Sequence, residues 1–261
     1  MKEKVSKDLV AVVIPIYKKE LCELELRSLK QAYAVLNAHL LIIVKPESLD
    51  LSEINSQFPL LTIISFDDYF FSGIKGYNQL MLSSLFYERF LQYQYILIYQ
   101  LDAYVFRDEL VEWCLKGYDY IGAPWLKKKI YEYPLISTIT KYLHQKKQKR
   151  GEISKYDLYN KIGNGGFSLR KVESHFQATK RYKEKIDKYI SHKQNHLYNE
   201  DVFFATEVSE FLYPNPLEAL SFSFDKYPFF SYRLTNSQLP FGCHGWYKRK
   251  MKKFWKPIIG F

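Results

Sequence analysis

The sequence predicts an α/β fold in a single domain: a mainly parallel sheet flanked by helices, with one long mobile loop. Three observations predict it. Over the first half of the chain, apolar runs of strand length alternate with segments whose apolar residues recur at helical spacing, and the connections are short. That alternation is the pattern of parallel strands joined by right-handed crossovers. A length of 261 residues suits one such domain, its 47% of hydrophobic residues supply the core, and no internal repeat or low-complexity linker divides it.

The elements follow in order. Val10 to Tyr17 is an almost continuous apolar strand, and Cys22, Leu26, Leu29 and Tyr33 then recur at helical spacing. Leu40 to Val44 is a second strand, ended by Pro46. Leu61 to Phe66 is a third, followed by Asp67, Asp68 and a loop carrying Gly73 and Gly76. Tyr77, Leu80, Met81, Ser84 and Leu85 predict a helix before the apolar run Tyr95 to Leu101, which reads as a buried parallel strand. Tyr118 to Trp125 reads as a further strand ending in a small-residue turn. The stretch from Leu126 to Lys161 is polar, basic and dotted with tyrosines; it predicts a mobile loop over the site, with a small helix around Leu135 to Gln145.

Composition narrows the function classes. Cys22, Cys114 and Cys243 share no close spacing, which excludes a disulfide framework and a thiolate zinc site and makes a reducing compartment the expectation. The polar start Met1 to Asp8 carries no signal-peptide apolar region, and no run reaches the length of a membrane span, so a cytoplasmic protein is expected. A net charge of +10, clustered at Lys127–Lys129, Lys146–Arg150 and Lys248–Lys256, suits phosphorylated substrates or an anionic membrane surface. No recognisable nucleic-acid motif accompanies it, and no nucleic-acid partner is expected. The end of the chain, 248–261, mixes cations with Phe254, Trp255 and Ile258 and divides from a domain spanning 1–247. It suits either a segment lying on the inner face of a membrane or a tail packed back on the domain.

Four elements carry chemistry. Asp102 lies just beyond the Tyr95–Leu101 strand, where ligands of open α/β sheets bind; it can hold a cation that holds a diphosphate, or simply close a turn. Gly163-Asn164-Gly165-Gly166-Phe167-Ser168-Leu169-Arg170 lets a ligand approach the backbone closely. It lacks the ending of a phosphate-binding P-loop and the position of a dinucleotide fingerprint, which argues against an NTPase or a dehydrogenase. Asn199-Glu200-Asp201 opens an apolar run: the acids suit a helix N-terminus, and one of them at a pocket edge can serve as a general base. His244, between Gly242 and Gly245 near the end of the chain, can ligate a metal or be an ordinary core histidine.

In this order, these motifs, with Gln100-Leu101-Asp102 and Tyr120-Ile121-Gly122-Ala123-Pro124-Trp125, resemble GT-A fold glycosyltransferases, most nearly an uncharacterised bacterial glycosyltransferase-like family, from about Val10 to Trp246. The resemblance implies a GT-A-like, Rossmann-like fold. It also implies transfer of a sugar from a nucleotide-sugar donor to an acceptor hydroxyl on a glycan or lipid-linked acceptor, with inversion, as a hexosyltransferase of bacterial surface polysaccharide or glycoconjugate synthesis. Asp201 is then the first choice for the base and Glu200 the second. Mn²⁺ or Mg²⁺ held by Asp102 and His244 would stabilise the leaving diphosphate, with Lys248 beside it. Pro15, Ile16 and Tyr17 would wall the nucleotide, Asp67 or Asp68 would reach ribose or base, and Gly165 and Gly166 would meet the donor sugar. Asn199, Trp125 and Trp246 would face the acceptor. One departure matters. The family's Asp-x-Asp motif reads Asp102-Ala103-Tyr104 here, or Gln100-Leu101-Asp102 one step earlier, so one strong hard-cation ligand is missing. That leaves open a metal-independent variant in which Lys or Arg neutralises the diphosphate, and also a catalytically inactive binding module using its basic face.

Overall fold

The structure is a computed structural model that describes residues 8–127, 129–191 and 196–261. Lys128 of the first basic cluster and the polar start Met1–Lys7 lie outside the described residues. Six strands form the central sheet: β1 (Val10–Pro15), β2 (Leu40–Pro46), β3 (Leu61–Phe66), β4 (Tyr95–Tyr99), β6 (Tyr120–Ile121) and β7 (Phe167–Lys171), in spatial order β3-β2-β1-β4-β7-β6. The first four run parallel, as the alternating pattern predicts, while β7 runs antiparallel to both β4 and β6. Every residue of β1 and β4 is buried, because helices cover both faces of the sheet and leave no polar side for alternation to show. Val12, Ile14, Leu41, Leu97 and Tyr99 point into one core layer, and Ala11, Val13, Ile42, Ile96 and Ile98 into the other.

A second sheet of three short strands builds one wall of the site. In it β9 (Gly242–His244) lies between β5 (Ala103–Val105), which is antiparallel to it, and β8 (Ser223–Phe224), which is parallel. The register pairs Ala103 with His244 and Phe224 with Cys243. Asp102, His244 and Asp225 are thereby set side by side from three distant parts of the sequence.

The helix expected around Leu135 to Gln145 is present and longer, 15 residues from Pro134 to Gln148, started by a proline at its first position, where no amide hydrogen is needed, and flanked by short 3-10 turns at Lys129–Glu132 and Lys155–Leu158. The 248–261 segment folds back on the domain. Its helix Lys252–Ile259 buries Phe254, Trp255 and Ile259 among Leu220, Phe224 and Trp246, with Trp255 stacked on Phe106 at 5.5 Å. Arg27 Nη1 donates to the Gly260 carbonyl at 2.6 Å and ties down the end. The aromatic residues expected to enter a membrane are core residues, because covering apolar area on the domain itself satisfies them. No helix of the described residues is long and apolar enough to cross a membrane.

Candidate active site

A cleft of about 480 Å³ opens at the carboxyl ends of β1 and β4. The end of β1 supplies Pro15, Ile16 and Tyr17; the end of β4 supplies Gln100 and Asp102; and the glycine-rich loop entering β7 supplies Asn164, Gly165 and Gly166. Asn199, Glu200 and Asp201 come from the start of the helix Glu200–Glu207, His244 from β9, and Lys248 from the turn after it. Most of the residues singled out in the sequence thus meet in one cavity.

The Asp102 side is a compact charge cluster. Asp102 Oδ1 lies 2.9 Å from His244 Nε2, and Asp102 Oδ2 lies 2.7 Å from Lys248 Nζ. On the far side of the imidazole, Asp225 Oδ1 lies 3.4 Å from Nδ1. Burial alone would raise the Asp102 carboxyl, but His244 and Lys248 outweigh it and hold Asp102 well below the usual carboxylate range. Burial alone would lower His244, but Asp102 and then Asp225 outweigh it and lift the ring to about 9. The pocket therefore favours positive charge beside Asp102.

The opposite wall shows how two adjacent carboxylates take different work. Glu200 turns inward: its Oε1 accepts from Arg170 Nη2 at 2.9 Å, where Arg170 is fully buried and Nη1 also donates to Tyr87 Oη at 3.0 Å. That pairing engages Oε1 of Glu200, a residue that also lines the cleft, with the buried guanidinium. Asp201 turns toward the cleft. Its Oδ2 accepts from the backbone amides of Asn164 at 3.1 Å and Gly165 at 3.2 Å, and its Oδ1 from that of Val202 at 2.8 Å. Burial first, and the neighbouring Glu200 charge second, push Asp201 up, to about 7, against the pull of the amides. A carboxylate poised there suits general base catalysis near neutral pH. Asn199 does not cap its helix with its side chain; Asn78 does the tying, donating Nδ2 to Asn199 Oδ1 at 3.2 Å and accepting the Glu200 amide on Oδ1 at 3.1 Å.

Glycine is required at both cradle positions. A Cβ on Gly165 would fall 1.9 Å from Glu200 Oε1, and one on Gly166 would fall 2.2 Å from His244 Nε2 and 2.7 Å from Gln100 Oε1. The last two atoms therefore face the same space above Gly166. Two buried polar atoms of cleft-lining residues lack a hydrogen-bond partner, Tyr77 Oη and Asn164 Nδ2, while His244 Nε2 meets only the Asp102 carboxylate. Asn164 also holds a left-handed backbone, with φ of 69°. Buried polar groups left unpaired in a pocket mark the places where ligand atoms complete them.

These features bear on a divalent cation. His244 Nε2 stands at ion-pair distance from Asp102 without the alignment of a hydrogen bond, and Asp225 is placed to receive the proton of Nδ1, so a cation taken up at Nε2 would have to displace the proton that Asp102 favours there. Among the described residues no group of three His, Cys, Asp or Glu side chains could hold a metal ion; the further oxygen facing the same space as His244 Nε2 is the Gln100 amide oxygen. One carboxylate, one imidazole and one amide fit an ion that takes the rest of its coordination from substrate phosphates.

Four expected site residues lie elsewhere. Asp67 Oδ1 caps a 3-10 turn by accepting the Tyr69 amide, and Asp68 Oδ1 accepts the Ser48 amide at 3.0 Å, so both close turns rather than line the cleft. Trp246 is fully buried and donates Nε1 to the Ala103 carbonyl at 3.0 Å. Trp125 packs among Leu158, Leu197 and Val202, with its ring in the space a side chain at Gly163 would need. Neither tryptophan faces the cleft. No described residue of 126–161 is among those lining the cleft. Sequence reasoning missed Asn78, Tyr77 and Asp225. Asn78 and Tyr77 sit in an ordinary helical pattern, and Asp225 carries no motif; only strand pairing reveals it.

The parallel core sheet, its antiparallel β7, and a cleft at the strand ends built from Asp102 and His244 define the GT-A fold class. Solved structures agree on the fold. The galactosyltransferase LgtC, in complex with donor and acceptor sugar analogs, is 12% identical with a TM-score of 0.56, over 95% of this chain and 93% of that one. Mouse xyloside xylosyltransferase 1 is 12% identical with a TM-score of 0.51, over 90% and 97%. The glycosyltransferase GlyE of Streptococcus pneumoniae is 10% identical with a TM-score of 0.53, over 97% and 60%. The chain itself belongs to the family described as protein of unknown function DUF5672, whose model matches residues 60–244. No curated protein matches the sequence.

Proposed function

We propose that this protein is a glycosyltransferase that moves a sugar from a nucleotide-sugar to an acceptor hydroxyl. The observation that carries the reading is one cleft on a GT-A fold with a cation-favouring cluster at Asp102, His244 and Lys248 on one wall and the half-buried Asp201 on the other. Pro15, Ile16 and the exposed Tyr17 wall the nucleotide end, with Ile74 opposite. The sugar rests against Gly165 and Gly166, where Tyr77 Oη and Asn164 Nδ2 meet its hydroxyls. Asp102 and His244, with Gln100 beside them, would hold a divalent cation, which would supply Lewis-acid stabilisation of the departing diphosphate. Lys248 adds a second positive charge there. Asp201 takes the proton of the acceptor hydroxyl, and the oxygen so activated displaces the diphosphate from the anomeric carbon in a single step that inverts its configuration.

A hexosyl donor, a glycan or lipid-linked acceptor, and a place in bacterial surface polysaccharide or glycoconjugate synthesis belong to the same reading; the sequence resemblance supports them. A thermal-shift screen of UDP-, GDP-, CMP- and dTDP-sugars with and without Mn²⁺ identifies the donor, since a ligand of the folded state raises the melting point by mass action. Donor turnover and the anomeric configuration of the product by NMR then test the chemistry. Binding without turnover of any donor would leave a nucleotide-sugar-binding module, and a retained anomer would remove Asp201 from the role of base.

A further inference from the structure

The helix Pro134–Gln148 has a face left exposed among the described residues. Its inner side, with Ile136, Thr140 and His144, is half-buried against the chain, and none of its residues is fully buried. His144 anchors that side, its Nδ1 2.9 Å from Ser154 Oγ and its ring stacked on Tyr156 at 4.6 Å. The outer side presents Leu135 (80% exposed), Ile139 (58%), Tyr142 (64%) and Leu143 (52%) at spacings of four, seven and eight residues, with Tyr133 just before them. These positions form one stripe on a helix. Large apolar side chains gathered on an exposed face mark an interaction surface rather than scattered surface residues.

Charge identifies the partner. From Tyr133 to Gly151 the chain carries Lys141, Lys146, Lys147, Lys149 and Arg150 and no acidic residue. A second copy docking through this stripe would bring two such basic sets together, which opposes self-association. An apolar stripe with five cations along it and acids only beyond its two ends, at Glu132 and Glu152, suits hydrocarbon beneath anionic headgroups. We propose that the helix Pro134–Gln148 docks the protein on an anionic membrane surface, with Leu135, Ile139 and Leu143 entering the bilayer interface and Lys141, Lys146, Lys149 and Arg150 at the headgroups. The proposal transfers to this helix the membrane role that the packed 248–261 segment cannot perform through Phe254 and Trp255. It stands independently of the transferase reading, since vesicle binding is measured without any sugar substrate.

The test is co-sedimentation of the full-length protein with vesicles of phosphatidylglycerol and phosphatidylcholine, against phosphatidylcholine alone, from low to physiological salt. Wild type is expected to pellet with the anionic vesicles, less so as the screening length shrinks toward about 8 Å. The triple variant Leu135→Ser, Ile139→Ser, Leu143→Ser is expected to bind at least ten-fold less, with an unchanged melting temperature because the three side chains are exposed. Lys141→Gln, Lys146→Gln, Lys149→Gln is expected to bind less and to lose most of its salt dependence. Equal pelleting by wild type and the triple serine variant would overturn the proposal, as would no pelleting of wild type with anionic vesicles at low salt. Sedimentation velocity showing a wild-type dimer that the serine variant dissolves would also overturn it, and would assign the stripe to a second copy.

Discussion

Asp201 and Glu200 are neighbours of like charge, and the distinction between them is testable at single atoms. Asp201→Asn keeps an oxygen for the Asn164 and Gly165 amides but cannot take a proton, so turnover is expected to fall by about 10²–10⁴-fold while nucleotide diphosphate affinity stays within about two-fold. Steady-state kinetics beside calorimetric titration checks this. The wild-type rate is expected to rise with pH through about 7 as Asp201 ionises. The stability consequence has the opposite sign. A carboxyl raised above its unfolded value near 3.9 holds its proton in the folded state after the unfolded chain has released it. Folding therefore loses stability as pH climbs from about 4 to about 7. Asp201→Asn lacks that pH-dependent loss but sets its NH2 against the Val202 amide, so its melting temperature relative to wild type is expected to rise from pH 4 to pH 8. On the other wall, Asp102→Asn and His244→Ala are both expected to weaken nucleotide diphosphate binding at least ten-fold in the presence of Mn²⁺. Unchanged affinity in both would detach the cluster from the diphosphate.

Among the elements, β7 and the helix it faces depend on one buried ion pair. Arg170 projects from β7 into a space closed by Tyr87, Tyr120 and Glu200, with no exposed surface of its own. Removing one partner of such a pair strands a buried charge and costs about 3–5 kcal/mol. Glu200→Ala is expected to lose that much in urea denaturation, and Glu200→Gln less, because the amide oxygen still accepts from Arg170. If Glu200→Gln instead lost turnover without losing stability, the proton-transfer role would move from Asp201 to Glu200. The prediction follows from partners: both acids line the cleft, but Glu200 Oε1 is paired with the buried Arg170 and Asp201 meets only backbone amides.

For the molecule as a whole, the 248–261 segment closes the small sheet rather than extending from it. Trp255 is fully buried, stacks on Phe106 and lies 6.1 Å from Phe224, so deleting the helix Lys252–Ile259 opens the core beside β8 and β9. A large aromatic residue cut to alanine in a core costs about 3–5 kcal/mol. Trp255→Ala is expected to lose stability in that range by chemical denaturation, and with it the alignment of His244 against Asp102. An unaltered midpoint would mean that the segment only rests on the surface.

Much of this was legible in the linear chain. The parallel half shows itself through apolar runs alternating with helical spacing, because both periods are local properties of the backbone: Leu61–Phe66 coincides with its apolar run, and the strands starting at Val10 and Tyr95 each end two residues before theirs. Asp102, the glycine pair and Asn199-Glu200-Asp201 could be picked out because strand ends, glycine-dense loops and helix starts are where backbones expose ligand-binding groups. The rest depends on contacts between distant residues, which no local pattern contains. Asp225 and His244 reach Asp102 only through the pairing of β8, β9 and β5. The buried Arg170 decides which of two adjacent acids is held in an ion pair. Whether Trp125, Trp246 and Trp255 face solvent, a ligand or the core turned on whether other parts of the chain lay close enough to cover them, since apolar surface is buried wherever the fold offers a matching one.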